Sequence, residues 1–164
     1  MRMIMVAAAA ALVAATPAAA QDTTAETGTT FTGPRVGVNL GFADDDVFGT
    51  ETFTYGVEAG YDADLGGAVV GGSVELQDSK DTDREIALTA RVGAKPSPNF
   101  LVYGLAGYTN LKVFDGLKLD GYRVGAGIEF GFNRNGFAKV EQRYSNYELG
   151  VDGFQTVVGV GVRF

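Results

Sequence analysis

The stretch 153–164, GFQTVVGVGVRF, decides the fold. Every second residue belongs to a set that is apolar except for one threonine: Phe154, Thr156, Val158, Val160, Val162 and Phe164. The residues between them form a small or polar set with one valine: Gln155, Val157, Gly159, Gly161 and Arg163. Because successive side chains of a β-strand point to opposite faces, this alternation predicts a strand with one bulky apolar face and one face of glycine and charge.

The same alternation recurs in about eight segments of the chain. In YRVGAGIEFGF, 122–132, an apolar set alternates with Arg123, Glu129 and three glycines. In RVGVNLGF, 35–42, an apolar set alternates with arginine, asparagine and two glycines. The segment FLVYGLAGYTNLKV, 100–113, is apolar on both faces, so its length and aromatic residues predict a strand but leave its orientation open.

The breaks between the segments alternate in character. DADLGG, PSPN and NRNG at 62–67, 96–99 and 133–136 have the proline, asparagine and glycine of tight turns. Longer polar stretches, DDDVFGTE, DSKDTDRE, VFDGLKLD and ELGVDG, lie between them. Short turns that alternate with longer loops are typical of an up-and-down meander whose two ends meet different surroundings.

The glycine-rich faces indicate which side of the sheet is enclosed. A water-facing surface gains nothing from glycine, which weakens a strand and offers no side chain to pack. A narrow barrel interior does need small residues, because long charged side chains must lie across it. An ordinary half-buried sheet explains a single strand, but the repeated pattern favours lipid outside and charge inside. We therefore predict an all-β fold, an eight-stranded antiparallel up-and-down transmembrane β-barrel, closed because lipid satisfies no backbone hydrogen bonds.

The first residues predict export. MRMIMVAAAAALVAATPAAA has one early arginine, a short apolar stretch and small residues before a cleavage site after Ala20. We predict a cleaved signal peptide over 1–20, a flexible lead-in over 21–33 and the barrel over 34–164; an uncleaved anchor helix is the alternative. The chain has no cysteine, which excludes disulfides and a lipoprotein anchor, and its net charge of −7 argues against nucleic acid as a partner.

The pattern resembles the small outer-membrane β-barrels of Gram-negative bacteria, such as the membrane domain of outer-membrane protein A, outer-membrane protein X and the opacity-type surface proteins. LVYGLAGYTN at 101–110, FAKVEQRYSNYELG at 137–150 and VVGVGVRF at 157–164 carry most of the resemblance. It implies an outer-membrane location, with lipid, lipopolysaccharide and the barrel-assembly machinery as partners. It also implies an assembly signal in the last strand, to which Gly159, Val162 and Phe164 correspond.

Nine charged residues on the glycine-rich faces are the candidate site: Glu58, Glu75, Arg91, Arg123, Glu129, Lys139, Glu141, Arg143 and Arg163. Charges in a narrow, poorly hydrated space must pair. A static network that plugs the lumen is the expected arrangement, and a switchable gate for ions or very small solutes is the alternative. Across the NRNG turn, Glu129 and Lys139 are predicted to form one such pair.

Other functions receive less support. The chain has no histidine or cysteine, so the usual catalytic base and thiol nucleophile are missing, and neither an enzyme nor a cofactor is expected. Asp44, Asp45 and Asp46 are weak metal candidates, since their spacing matches no known calcium loop. A soluble ligand-binding barrel would require an apolar cavity. The predicted role is envelope integrity or surface interaction, with a surface ligand that the sequence does not identify.

Overall fold

A computed structural model describes residues 31–45, 50–79, 85–112, 118–132, 135–147 and 151–164. They form eight strands: β1 Gly33–Asp45, β2 Thr50–Asp64, β3 Ala68–Ser79, β4 Glu85–Ser97, β5 Phe100–Lys112, β6 Lys118–Phe132, β7 Gly136–Tyr147 and β8 Val151–Arg163. No helix in these ranges is long and apolar enough to cross a membrane.

The eight strands form one closed antiparallel barrel in sequence order. Each strand pairs with the next, and β8 closes the barrel by pairing with β1 from Arg35 opposite Arg163 to Asp45 opposite Gly153. Closure leaves no sheet edge unpaired. A structure exposed to hydrocarbon must be closed in this way, because lipid cannot satisfy free backbone hydrogen-bonding groups. The predicted fold class is therefore confirmed.

The two ends of the barrel differ. At one end, called the turn end here, two or three residues connect β2 to β3, β4 to β5 and β6 to β7. Gly66 has a φ of 93° in the first of these turns, and its backbone N–H donates to Asp64 Oδ1 at 2.8 Å. At the other end, the loop end, the strands are joined by residues 46–49, 80–84, 113–117 and 148–150.

Most of the large apolar side chains of the strands face outward. In β8, Val158 and Val160 are about half exposed, whereas the neighbouring Val157 is buried. The orientation of β5, which the sequence left open, places Leu101, Tyr103 and Thr109 inside the barrel. The exterior is thus the hydrophobic surface, as a lipid environment favours.

Aromatic side chains border this outer surface near both ends. On β6, Tyr122 lies near the loop end and Phe132 near the turn end, both exposed. These two residues are ten positions apart, so at about 3.3 Å per residue and a tilt of about 40° they bracket a band roughly 25 Å tall. That height matches the hydrophobic thickness of outer-membrane barrels.

Residues 31–33, predicted as the end of a flexible lead-in, belong to the barrel structure. Gly33 begins β1, and the Phe31 side chain is fully buried against Val69, Leu101 and Tyr103. The Asp64 N–H donates to Thr32 Oγ1 at 3.0 Å. The ordered domain therefore begins before the predicted position 34, because an aromatic residue ahead of the first strand packs into the turn end.

Candidate functional site: the charged lumen

The barrel interior contains a balanced set of buried charges. Among the described residues, twelve charged side chains are buried, six basic and six acidic. They are Arg35, Arg91, Arg123, Lys139, Arg143 and Arg163 with Glu58, Asp62, Glu75, Glu85, Glu129 and Glu141. The inward faces of all eight strands except β5 contribute at least one of them.

Five of these residues form a turn-end cluster: Arg35, Asp62, Arg91, Glu129 and Arg163. Arg91 donates from Nη2 to Asp62 Oδ2 at 2.6 Å and from Nη1 to Glu129 Oε2 at 2.8 Å. Arg163 Nη2 contacts Asp62 Oδ2 at 3.2 Å and also binds Glu129 Oε1. Arg35 Nε lies 3.0 Å from Asp62 Oδ2. Two carboxylates are thus shared among three guanidinium groups.

A central chain of ion pairs continues from this cluster. Arg35 Nη1 donates to Glu58 Oε1 at 2.8 Å, and Lys139 Nζ donates to Glu58 Oε2 at 2.7 Å and to Glu141 Oε1 at 3.0 Å. Arg143 then bonds Glu141 Oε2 through Nη2 at 2.5 Å. The paired charges therefore extend from the turn end to the middle of the lumen.

The chain of contacts reaches the loop end through Glu75. Arg143 Nη1 lies 2.9 Å from Glu75 Oε2, and Arg123 Nη1 lies 3.8 Å from the same oxygen. Arg123 Nη2 donates to Glu85 Oε1 at 2.5 Å, and Tyr147 donates its hydroxyl to that oxygen at 3.3 Å. All twelve charges consequently belong to one continuous network.

The network suits a poorly hydrated interior because its charges balance and each of them lies within 4.0 Å of an opposite charge. Removing a charge from water costs several kcal/mol, which mutual attraction offsets only when the geometry is good and further hydrogen bonds are formed. Neutral partners supply some of these bonds: Tyr103 donates its hydroxyl to Glu141 Oε1 at 2.5 Å, and Asn39 Nδ2 donates to Glu75 Oε1 at 2.9 Å.

Glycine makes room for these side chains. A Cβ on Gly127 would lie 2.7 Å from both Glu141 Cγ and Tyr103 Cζ, and one on Gly159 would lie 2.8 Å from Lys139 Cε. Real Cβ atoms essentially never approach other atoms so closely. The glycines of the inner faces therefore provide the space that the long charged side chains occupy.

The structure places all nine predicted site residues in this network and adds three others. Arg35, Asp62 and Glu85 complete the six-and-six balance. Arg35 and Asp62 stand on the inward sets of their strands by alternation, and that alternation was the signal that could have included them. Glu85 stands at the boundary between the polar stretch DSKDTDRE and the strand that follows it, and it belongs to the site because β4 begins there.

The predicted Glu129–Lys139 ion pair is wrong. The two residues are direct neighbours across β6 and β7. However, Glu129 bonds Arg91 and Arg163, whereas Lys139 bonds Glu58 and Glu141. The long side chains reach across the lumen to other strands instead of lying along the ladder.

The remaining predicted residues lie elsewhere. In β8, Gly159 faces the lumen and Val162 faces outward, and the exposed Phe164 follows the strand. Ala20 and Asp46 lie outside the described residues, and Asp44 and Asp45 form the loop-end terminus of β1. In the part of the chain that the structure describes, no three His, Cys, Asp or Glu residues are grouped so that they could hold a metal ion.

A closed barrel with a lipid-facing exterior and an ion-paired interior defines a transmembrane outer-membrane protein. Residues 6–164 match the sequence profile of the outer membrane protein beta-barrel domain, so the chain belongs to that family. It resides in the outer membrane of a Gram-negative bacterium. No curated protein matches it in sequence.

Solved structures share the fold. The N-terminal β-barrel domain of Pseudomonas aeruginosa OprF is 19% identical with a TM-score of 0.59, covering 81% of this chain and 99% of that one. Ail, the attachment invasion locus protein of Yersinia pestis, is 18% identical with a TM-score of 0.57, covering 81% and 97%. The outer membrane enzyme PagL is 9% identical with a TM-score of 0.52, covering 78% and 99%. At these identities the likeness concerns the fold alone.

Proposed function

We propose that this protein is a non-enzymatic outer-membrane barrel with a lumen closed by side chains, and that it serves envelope integrity or surface interaction. The neutral, continuous network of twelve buried charges is the observation that carries the proposal. A pathway for solutes would have to break bonds in this network, whereas a structural wall benefits from keeping them. With about eight strands, a barrel interior is just wide enough for side chains to fill.

The non-enzymatic character rests on the chemistry of the chain. It has no histidine to act as a general base and no cysteine to act as a nucleophile. The inward-facing hydroxyl of Ser145 accepts a hydrogen bond from Arg123 Nε at 3.0 Å, so it belongs to the same bonded lumen as the charges. PagL has the same fold and is an enzyme, so the fold alone does not decide the question.

The charge of the loop end indicates the kind of surface partner. Segments 43–52, 78–84, 111–120 and 147–152 carry eleven acidic and four basic residues. With this end outside the cell, a polyanion would be repelled. Ail forms a complex with the heparin analogue sucrose octasulfate; for this chain we favour instead a cationic partner, or lipopolysaccharide phosphates bridged by divalent cations. Contact with outer-membrane lipid and recognition of the last strand by the assembly machinery complete the proposed partners.

A narrow gated pore is the second candidate, and one feature favours it. Lys139 bonds two carboxylates at once, Glu58 and Glu141, in the middle of the lumen. Exchange of one such bond for another is a route by which ions or very small solutes could be admitted without breaking the whole network.

Two measurements test the proposal. Purified protein that migrates as a compact band unheated and shifts on boiling should give no conductance above a bare planar bilayer. A wild-type barrel that conducts in discrete steps would contradict the closed lumen and support the pore.

In cells, deletion of the gene should make the envelope sensitive to detergent, and wild-type protein should restore resistance. The Asp81→Asn/Asp83→Asn protein should restore less resistance if divalent cations bridge the loops to lipopolysaccharide. A deletion strain with unchanged resistance and unchanged surface binding would contradict the proposed role.

A further inference from the structure

Phe31 occupies the mouth of the lumen at the turn end. Its side chain is fully buried although it precedes the first strand. It belongs to one buried hydrophobic cluster with Val69 at the start of β3 and with Leu101 and Tyr103 at the start of β5. Since β1 neighbours only β2 and β8, Phe31 must extend from the β1 wall across the opening to reach β3 and β5.

The backbone around Phe31 supports this path. Gly33 has a φ of 116°, a conformation that L side chains rarely adopt, and it allows the chain to turn inward from β1. Thr32 is fixed to the end of β2 by the hydrogen bond from the Asp64 N–H at 3.0 Å. The Phe164 N–H donates to the Pro34 carbonyl oxygen at 3.0 Å and holds the base of the turn against the end of β8.

Phe31 lies directly against the turn-end cluster. The Arg163 guanidinium carbon is 4.9 Å from the centre of the Phe31 ring and 5.2 Å from the centre of the Phe137 ring. The Arg91 guanidinium carbon is 4.7 Å from the centre of the Tyr103 ring. Aromatic rings thus lie against two of the three cations of the cluster.

We propose that Phe31 is an intramolecular stopper, whose docking site is formed by Val69, Leu101 and Tyr103, and that it excludes water from the turn-end cluster. Unlike these three residues, Phe31 is not held in a strand, so the seal depends on side-chain packing and on the turn at Gly33. Excluding water strengthens the ion pairs behind it, because their mutual attraction grows as the local dielectric constant falls. The stopper closes one mouth of the lumen and acts whether or not the central chain of ion pairs is impermeable.

Thiol labelling tests the stopper directly, because the chain contains no cysteine. Val69→Cys introduces a reporter that is 1% exposed behind Phe31, and Leu65→Cys in the adjacent turn gives a matched reporter at a site that is 67% exposed. Each is prepared with Phe31, with Phe31→Leu and with Phe31→Ala. The folded barrel in detergent micelles, verified by its heat-shifted band, is treated with a small water-soluble methanethiosulfonate.

We expect the residue-65 thiol to react rapidly in all backgrounds. The residue-69 thiol should react slowly with Phe31 or leucine present and at least about tenfold faster with Phe31→Ala, because labelling follows the population of the open mouth. Equal rates with phenylalanine and alanine, whether slow or fast, would overturn the proposal, and so would a leucine variant that reacts like the alanine variant. If the Phe31→Ala variant does not fold, Phe31→Ser replaces it. Fast labelling of the Val69→Cys protein that retains Phe31 would by itself refute the seal. Failure here leaves the conductance result untouched, so it is distinguishable from failure of the proposed function.

Discussion

Neutralising Glu129 should destabilise the barrel strongly. Glu129 is fully buried and bonds Arg91 at 2.8 Å and Arg163 on its other oxygen. Glu129→Gln keeps the shape but places an amide NH₂ against one of the two guanidinium groups, so one bond is lost and three arginines share a single carboxylate within the turn-end cluster. Removing one partner of a buried ion pair costs about 3–5 kcal/mol, and we expect a loss of that size in the free energy of unfolding.

The assay is equilibrium unfolding by urea in lipid vesicles, followed by the fraction of compact band on unheated gels and by circular dichroism. Lys95→Gln is the matched control, because the Lys95–Asp64 ion pair lies at the turn-end rim, where both side chains are 20% exposed. This pair is partly exposed, so its contribution should be smaller than that of a fully buried pair and closer to the about 0–1 kcal/mol of exposed pairs. The two substitutions each remove one charge, so the difference between them isolates the effect of burial.

Charge balance is tested by adding Arg163→Gln to Glu129→Gln. The double variant restores equal numbers of buried acids and bases, so it should lose about 0.5–3 kcal/mol less than the sum of the two single losses. Two results would contradict a buried, coupled cluster: a Glu129→Gln variant no more destabilised than Lys95→Gln, or strict additivity of the two lumenal substitutions.

Three further outcomes are expected. Gly127→Val should lower stability by about 1–3 kcal/mol by displacing Tyr103 and Glu141, which lie where its side chain would go, and the same urea titration measures it. Phe164→Ala should reduce the amount of folded barrel in the outer membrane without changing the unfolding midpoint of the protein that does fold, and Leu65→Ala is the control. An unchanged yield would argue against a part for Phe164 in the assembly signal. Raising the salt concentration from about 0.1 to 1 M should leave the wild-type unfolding midpoint nearly unchanged, because buried pairs are screened far less than exposed ones; a large shift would mean that water and ions enter the lumen.

The fold could be predicted from the sequence because a barrel in lipid imposes one simple rule on every strand. Each strand must present an apolar face to hydrocarbon, so alternation alone identified the strands and their inward faces. The rule failed at β5, where Leu101, Tyr103 and Leu105 are apolar yet point inward. These residues line the interior near the turn end, where Leu101 and Tyr103 form a buried cluster with Phe31. No alternation rule describes residues that pack with a segment outside the sheet.

The pairing of the charges could not be predicted from the same pattern. Alternation and turn position correctly place Glu129 opposite Lys139 in the ladder. In a closed barrel, however, a long side chain meets residues from strands far away in the sequence, and Arg91 reaches Glu129 over a separation of 38 residues. Strand register fixes the position of each Cα, whereas the width of the lumen determines which opposite strands a long side chain can reach.

Charge balance links the interior of this barrel to its surface. The chain contains thirteen basic and twenty acidic residues, and the buried network takes six of each. The remaining seven basic and fourteen acidic residues therefore carry the entire net charge of −7. A poorly hydrated lumen must be close to neutral, because an unpaired charge there costs several kcal/mol, whereas the loops in water are under no such constraint. A change of charge in the loops should therefore alter surface interactions with little effect on stability, while the same change in the lumen should act on stability first.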